Sequence, residues 1–252
     1  MKIARLEQNN EAFYAEYKNG DYYRAAGDCV CMGEVSETPV TGAFRLLVPV
    51  QPSKIVALGL NYRKHAAEMN EDLKTEPLIF LKPPSALCNP QDNIEIAHPQ
   101  HRTDYEAELV AVIGRECRSI TAADAASYIL GYTCGNDVSD RNLQQGDGQW
   151  TRAKGFDTYC PIGPHIVTDV SPENLKVEAY RNGECVQSGN TSEMITNVFE
   201  AVAFISGVMT LLPGDLVMTG TPNGIGPLTA GDTVEIRIEN VGSLINPVTN
   251  RD

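Results

Sequence analysis

Two acidic residues, Glu106 and Glu108, are separated by a single residue at the start of the apolar run 109–114. On a β-strand, alternate side chains share a face, so both carboxylates point the same way. Burying a charged carboxylate without a partner costs several kcal/mol. A divalent cation is the simplest compensation, and oxygen ligands select a hard ion such as Mg²⁺, Mn²⁺ or Ca²⁺. The alternative is that both glutamates lie at a solvated strand end or pair with Arg or Lys.

A third carboxylate, that of Asp137, follows the segment 131–136, whose opening residues predict another strand. At the exit of that strand, Asp137 could meet the two glutamates and complete a metal site. Because aspartate is also common in turns, an ordinary loop position is the competing interpretation.

A histidine and a glutamate three residues apart, His65 and Glu68, form a second group with chemical potential. Asn61 is predicted to cap a helix that begins after the strand 55–58, and residues three apart on a helix are neighbours. A carboxylate beside an imidazole fixes its tautomer and raises its basicity, as a general base requires. A surface His–Glu pair that supports a short helix is the alternative.

Other polar residues give weaker signals. Lys154 lies among aromatic and small residues and could hold a substrate carboxylate, although a loop lysine is usually solvated. The glycine-rich stretch 219–226 lacks the G-K-[ST] ending of a P-loop and the helix of a dinucleotide site, so it does not indicate nucleotide binding. His98, His101 and His165 show no spacing that indicates zinc and are predicted to be surface or structural.

The elements that must position these residues are mostly strands. Apolar runs that end at glycine predict strands over 109–114 and 215–220, and clean alternation predicts a strand over 233–238 with its even-numbered residues inward. The segment 13–24, interrupted by Asn-Gly-Asp, predicts a β-hairpin. Because strands do not alternate one-to-one with helices, we expect an α+β, β-dominated fold rather than a doubly wound parallel sheet.

Two helices carry start signals in the sequence. Ser192 is predicted to cap a long helix over 193–212, which Pro-Gly then stops. Thr121, with an aspartate three residues on, is predicted to start a shorter helix that runs through Ile129.

The length of 252 residues suffices for one large domain, or for one domain with a small appendage. Prolines punctuate the stretch 34–51, which makes it the predicted boundary. We therefore expect a small N-terminal β-rich domain at 1–50 and a larger, metal-binding catalytic domain at 51–252.

The net charge of −13 argues against a basic surface for nucleic acid or an anionic membrane, so neither partner is expected. The 7 cysteines are odd in number and contain no C-x-x-C pair, which fits a reducing compartment. Neither a secretory signal nor an apolar run of membrane-spanning length is evident. We therefore expect a cytoplasmic protein.

From about residue 55 to residue 248, the chain resembles the fumarylacetoacetate hydrolase superfamily, and in particular its smaller acylpyruvate hydrolase-like and hydroxyheptadienedioate isomerase-like members. The resemblance rests on eight stretches that occur in the same order: 59–62 with His65 and Glu68, 78–83, 105–109, 131–132 with 136–141, 153–157, 188–192, 219–222 and 231–236.

The resemblance implies a mixed β-sheet roll as the catalytic domain, a small N-terminal domain and a homodimer. It implies that Glu106, Glu108 and Asp137 bind Mg²⁺ or Mn²⁺, with Ca²⁺ acceptable in a crystal. The implied catalytic residues are His65, Glu68 and Lys154, the first two on a lid segment. The implied substrate-binding residues are Arg141, Gln144, Lys154 and Thr221.

The expected function is a divalent-metal-dependent hydrolase that cleaves a C–C bond in a short 2,4-dioxo acid of the acylpyruvate type, through a metal-stabilised enolate. Its partner is then a small anionic 2-oxo or dioxo acid. Decarboxylation of an oxaloacetate-like 2-oxo acid and isomerisation of 2-hydroxyhepta-2,4-diene-1,7-dioate share that enolate and are alternatives. The alternative outside enzymology is a metal-stabilised dimeric binding module.

Overall fold

The structure is a computed structural model that describes residues 1–69 and 76–251. None of the helices in these two ranges is long and apolar enough to cross a membrane. The α-helices are α1 (Arg63–Glu68), α2 (Arg141–Asp147), α3 (Thr151–Lys154) and α4 (Val198–Val208). Short 3₁₀ turns occupy Pro84–Ala86, Ala125–Tyr128 and Thr191–Glu193.

Strands make up most of the regular structure. They are β1 (Lys2–Gln8), β2 (Glu11–Lys18), β3 (Asp21–Gly27), β4 (Met32–Val35), β5 (Arg45–Leu47), β6 (Ile55–Gly59), β7 (Leu78–Lys82), β8 (Leu87–Cys88), β9 (Ile94–Ile96), β10 (Thr103–Tyr105), β11 (Ala107–Ile113), β12 (Ile129–Asn136), β13 (Ser139–Asp140), β14 (Cys160–Val167), β15 (Lys176–Arg181), β16 (Glu184–Asn190), β17 (Leu216–Met218), β18 (Gly226–Pro227), β19 (Thr233–Ile238) and β20 (Gly242–Asn250).

These strands form three sheets. The largest has 12 strands in the order β4-β3-β2-β1-β14-β12-β11-β17-β6-β7, with β5 added to β1 and β8 to β14. A second sheet has the order β16-β15-β19-β20-β9, and a third has the order β13-β10-β18. Most neighbours are antiparallel, but β17–β6, β14–β8 and β20–β9 are parallel. The expected α+β, β-dominated class is therefore confirmed, with mixed sheets.

Strand β11 is buried along its whole length. Glu106 immediately precedes this strand, and Glu108 is its second residue. Leu109, Ala111 and Ile113 pack in a core shared with the five-stranded sheet and α4. Val110 and Val112 pack in a second core on the opposite face. The two-residue period predicted from the sequence is therefore confirmed, and β11 is a rigid base for whatever its first residues carry.

The N-terminal segment continues the largest sheet. Strands β2 and β3 form the predicted hairpin, with a turn at Asn19–Gly20 where both residues have positive φ. Strand β1 pairs on one side with β2 and on the other with β14, in both cases antiparallel. The division of the chain at residue 50 stays a prediction.

The long helix predicted over 193–212 is wrong in its extent. Helix α4 covers only Val198–Val208, and its N-cap is Asn197, whose side chain accepts hydrogen bonds from two backbone N–H groups. Residues 194–197 stay out of the helix because Asn61 binds the backbone of Thr196 at both its N–H and its carbonyl. Ser192, the predicted cap, lies instead in a separate 3₁₀ turn.

Two smaller helix predictions are also wrong. The helix predicted from Thr121 through Ile129 is reduced to a 3₁₀ turn, because the Tyr128 carbonyl accepts from the Gly114 and Arg115 N–H groups and Ile129 already begins β12. Asn61 does not cap α1; its amide is committed to Thr196 and to the Thr219 carbonyl, and α1 starts without a side-chain cap.

We expect Asn197→Ala to lower the free energy of unfolding by about 1 kcal/mol, because two N–H groups of the first turn of α4 lose their acceptor. Chemical denaturation measures this loss. Ser192→Ala is the matched control and should change stability by less than about 0.5 kcal/mol, as is usual at an exposed site. Equal losses in the two variants would contradict this helix boundary.

Candidate active site

Three carboxylates converge where β10 gives way to β11 and β12 ends. Glu106 lies between β10 and β11, Glu108 lies on β11, and Asp137 follows β12, which is the antiparallel neighbour of β11. Ligand oxygens of all three lie within 4.8 Å of one another, and all three residues are buried. The Asn136 side chain accepts from the Glu106 N–H at 2.9 Å, and the Asp137 N–H donates to the Glu106 carbonyl at 3.0 Å.

Three buried cations contact these carboxylates. The Lys154 ammonium lies 2.5 Å from Asp137 Oδ2 and 3.1 Å from Glu106 Oε2. The Lys82 ammonium lies 2.5 Å from Asp137 Oδ1. Arg141 donates from Nη2 to Glu106 Oε1. Burial raises the pKa of Glu106, but the charges of Lys154 and Arg141 outweigh burial and hold that pKa below its ordinary value.

Glu108 has the least compensation of the three. Its Oε2 accepts one hydrogen bond, 2.8 Å long, from the Gly220 N–H, whereas its buried Oε1 has no partner among the described residues. Burial, followed by repulsion from Asp137 and Glu106, raises the pKa of Glu108 well above its ordinary value. A buried carboxylate oxygen that has no hydrogen-bond partner and lies beside two further carboxylates is well suited to bind a cation. These residues therefore fit a hard divalent ion.

Position 220 requires a glycine because of its backbone conformation and its close neighbour Asn61. Its φ is +84°, a conformation that other residues rarely adopt, and a Cβ there would lie 2.8 Å from the Cβ of Asn61. The N–H of residue 220 can therefore reach Glu108 only if this residue of the turn after β17 has no side chain.

The histidine and glutamate predicted as a dyad are in contact. Both lie on α1, and His65 Nδ1 is 3.2 Å from Glu68 Oε2. The Gly224 N–H donates to both Glu68 oxygens, at 3.1 and 3.2 Å, and so fixes the carboxylate. Because Glu68 binds the ring at Nδ1, Nε2 is the ring nitrogen available to a ligand.

One cavity of about 400 Å³ is lined both by His65 of the dyad and by Glu106 of the carboxylate cluster. Six of the predicted site residues line it: His65, Glu106, Arg141, Gln144, Lys154 and Thr221. Leu58, Leu60, Met69 and Trp150 add apolar surface. Glu68 lines an adjoining depression that shares Met69 and Arg141 with the cavity.

The predicted substrate-binding residues differ in how firmly they are held. Arg141 Nη1 donates to Gln144 Oε1 at 2.8 Å, which positions both side chains on α2. The Thr221 hydroxyl donates to the Ala107 carbonyl at 2.8 Å and accepts from Gln187 at 2.9 Å. Thr221 is therefore a rigid part of the wall.

The match to a known family decides the classification. The family model for the fumarylacetoacetate (FAA) hydrolase C-terminal domain matches residues 54–249, which include every side chain of this site. The chain belongs to the fumarylacetoacetate hydrolase family.

Two relatives within this family are named for the reactions that they catalyse. Over 224 residues the chain is 42% identical to the 2,4-didehydro-3-deoxy-L-rhamnonate hydrolase of a Sphingomonas species, and the match covers 83% of this chain and 79% of the relative. It is 42% identical to the mitochondrial oxaloacetate tautomerase FAHD2A of Bos taurus, and that match covers 80% and 68%.

A solved structure extends the likeness to the whole chain. The crystal structure of 2-hydroxyhepta-2,4-diene-1,7-dioate isomerase from Mycobacterium marinum is 42% identical and superposes with a TM-score of 0.90, and the match covers 100% of this chain and 99% of that one. The fumarylacetoacetate hydrolase-type fold expected from the sequence is therefore confirmed.

This family member contains site residues that the sequence analysis did not assign. Lys82, at the end of β7, lies in the stretch 78–83 that resembles the family, but no function was predicted for it. A charged residue after an apolar run is equally typical of a strand that ends in solvent. Asn136 and Gly220 act through an amide oxygen and a backbone N–H. Such contacts leave no signal in residue spacing.

Replacing Glu108 with glutamine should separate stability from metal binding. In the presence of a chelator we expect Glu108→Gln to melt at or above the wild-type temperature, because a neutral amide is not repelled by Asp137 and Glu106. Its Mg²⁺ affinity should fall by at least about tenfold, a loss seen even for residues that only support ligands. Thermal melting and calorimetric titration with Mg²⁺ measure the two effects.

Glu235→Gln, on the outer face of β19, is the control for both measurements and should resemble the wild type. A Glu108→Gln protein with unchanged Mg²⁺ affinity would remove Glu108 from the metal site.

Proposed function

We propose that this protein is a divalent-metal-dependent hydrolase that cleaves a C–C bond in a short 2,4-dioxo acid of the acylpyruvate type. The observation that supports the proposal is one cavity lined by His65, which contacts Glu68, and by Glu106 with its partners Arg141 and Lys154. A cation held by Glu106, Glu108 and Asp137, with Mg²⁺ or Mn²⁺ favoured by the all-oxygen donor set, would polarise the substrate's 2-oxo group and stabilise the negative charge that develops there.

The charge balance of the site favours a dianionic substrate. Lys82, Lys154 and Arg141 carry three positive charges against the three carboxylates, although their ion pairs are with Asp137 and Glu106 and not with Glu108. A divalent ion and a dianion can therefore enter together without leaving the buried site with a large net charge. The enolate form of a 2,4-dioxo acid is such a dianion, since it carries one carboxylate and one ionised oxygen. A proton taken up from solvent at C3 converts this enolate to the diketo form, which is the form that is hydrolysed.

The dyad supplies the proton transfers of hydrolysis. His65, held at Nδ1 by Glu68, accepts a proton at Nε2 from a water molecule whose oxygen adds to the C4 carbonyl. The C3–C4 bond then breaks, and its electron pair delocalises over C3 and the 2-oxo group. The imidazolium returns its proton to C3, so the products are pyruvate and the carboxylic acid of the acyl group.

Lys154 and Arg141 orient the substrate during these reaction steps. Lys154 is anchored on two carboxylates and stacks over Phe80, with its nitrogen 4.9 Å from the ring centroid. It therefore presents a fixed positive charge to the cavity. The apolar part of the cavity wall, formed by Leu60, Met69 and Trp150, suits a short acyl group.

Keto–enol tautomerisation or double-bond isomerisation is the second candidate, because two relatives are named for these reactions. The same histidine would then move a proton between carbon and oxygen without adding water. Decarboxylation of an oxaloacetate-like acid uses the same charge stabilisation and belongs in the same assay.

His65→Ala should abolish acylpyruvate cleavage, with kcat lower by about 10²–10⁴-fold, because the general base is removed. Mg²⁺ affinity should be unchanged, since His65 is not one of the three carboxylates. Steady-state kinetics and Mg²⁺ titration measure the two quantities. Lys64→Ala, an exposed neighbour on α1, is the control and should retain full activity. Undiminished cleavage by His65→Ala would exclude water activation by this residue.

Removal of divalent ions should stop turnover, and Mg²⁺ or Mn²⁺ should restore it. The assay compares chelator-treated and reloaded protein on a panel of acylpyruvates, oxaloacetate and 2-hydroxyhepta-2,4-diene-1,7-dioate. We expect acylpyruvate cleavage to have the highest kcat/KM. Faster tautomerisation or isomerisation than cleavage would select the second candidate, and full activity in chelator would refute metal dependence.

A further inference from the structure

Outside the cavity, three side chains meet at the start of α2. Asp140 is completely buried, and its Oδ2 lies 3.2 Å from His98 Nδ1 and 2.8 Å from His101 Nδ1. The three ligand atoms lie within 4.8 Å of one another. From the sequence, both histidines were predicted to be surface or structural residues, since Asp140, their partner, lies about 40 residues further along the chain.

The local backbone orients each of these groups before any ligand arrives. Asp140 is the N-cap of α2, and its Oδ1 accepts from the Leu143 N–H at 3.1 Å, so Oδ2 is the oxygen left for the imidazoles. The His101 N–H donates to the His98 carbonyl at 2.9 Å and closes the turn between β9 and β10. The two imidazole rings lie side by side, with centroids 4.7 Å apart.

We propose that His98, His101 and Asp140 bind a transition-metal ion, with Zn²⁺ as the reference ion. Two ligand atoms that each lie about 2.1 Å from zinc can be at most about 4.2 Å apart, and both N···O separations satisfy this limit. Two imidazoles with one carboxylate favour zinc and its neighbours over Mg²⁺, which prefers oxygen. This site therefore differs in selectivity from the three-carboxylate cluster.

Access and coordination number are both suitable. The side chains of His98 and His101 are 35% and 23% exposed, so an ion can enter from solvent although Asp140 is buried. Three protein ligands leave a fourth position for water or another small ligand. Binding requires both Nδ1 atoms to be free of protons, which then reside on Nε2.

The ion would join two segments that supply the cavity. His98 and His101 precede β10, which leads into Glu106, and Asp140 begins α2, which carries Arg141 and Gln144. A metal bond between the segments would restrain the α2 start relative to the carboxylates. We assign the site a structural role, and zinc binding itself does not depend on the proposed hydrolysis.

The test is zinc binding to chelator-treated protein in excess Mg²⁺, which occupies the carboxylate cluster. Calorimetric titration with Zn²⁺ should show one tight site per chain in the wild type. The double variant His98→Gln/His101→Gln should weaken that site by at least about tenfold. His65→Gln, which also removes one histidine, is the matched control and should bind zinc as the wild type does.

Two further measurements make the result decisive. Asp140→Asn keeps an oxygen to cap α2 but loses the anionic ligand, so it should fold as judged by circular dichroism and still lose zinc affinity. Co²⁺ should give the visible absorption of a four-coordinate nitrogen-containing site in the wild type and in Glu108→Gln, but not in the double histidine variant. Equal zinc affinity in the wild type and the double variant, or no zinc site in excess Mg²⁺, would show that the cluster is only a hydrogen-bonded helix cap.

Discussion

Three carboxylates within 4.8 Å of one another in a buried site are the constraint around which the rest of this protein is organised. Such a cluster is tolerable only if positive charge reaches it from several directions. The chain provides that charge from β7, from α2 and from α3, with Lys82, Arg141 and Lys154. Glu108 is the exception, since one of its oxygens finds no donor within residues 1–69 and 76–251. The protein's own cations therefore stabilise the carboxylate cluster in the folded state, while Glu108 still attracts an added ion.

Sequence periodicity predicted the parts of the fold whose burial is regular. Strand β19 alternates along its whole length, so its bounds and its inward face were predictable. For β11 the alternation of side chains between two faces was predictable, but the strand covers Ala107–Ile113 rather than the predicted 109–114. The helix over 193–212 was not, because an apolar stripe with helical spacing continues through residues that tertiary contacts keep extended. Asn61, far away in the sequence, makes those contacts. A local pattern cannot contain that information.

The same distinction applies to the site. Spacing and context already suggested Glu106 with Glu108, Asp137 as a third ligand, and His65 and Lys154 as functional residues, and the family resemblance favoured these roles over the alternatives. The supporting contacts were not predictable, because they use backbone groups or residues distant in sequence. The cluster around Asp140 shows this most clearly: each histidine has an unremarkable sequence context, and only the β10–β13 pairing brings the aspartate beside them.

Asn61 also has a consequence for redesign of the substrate range. This one amide joins the loop before α1, the chain before α4 and the turn that donates to Glu108. A library that randomises the loop as a block would disturb all three segments together and recover few active clones. Diversity is better placed at Met69 and Gln145, whose side chains line the cavity without such ties among the described residues.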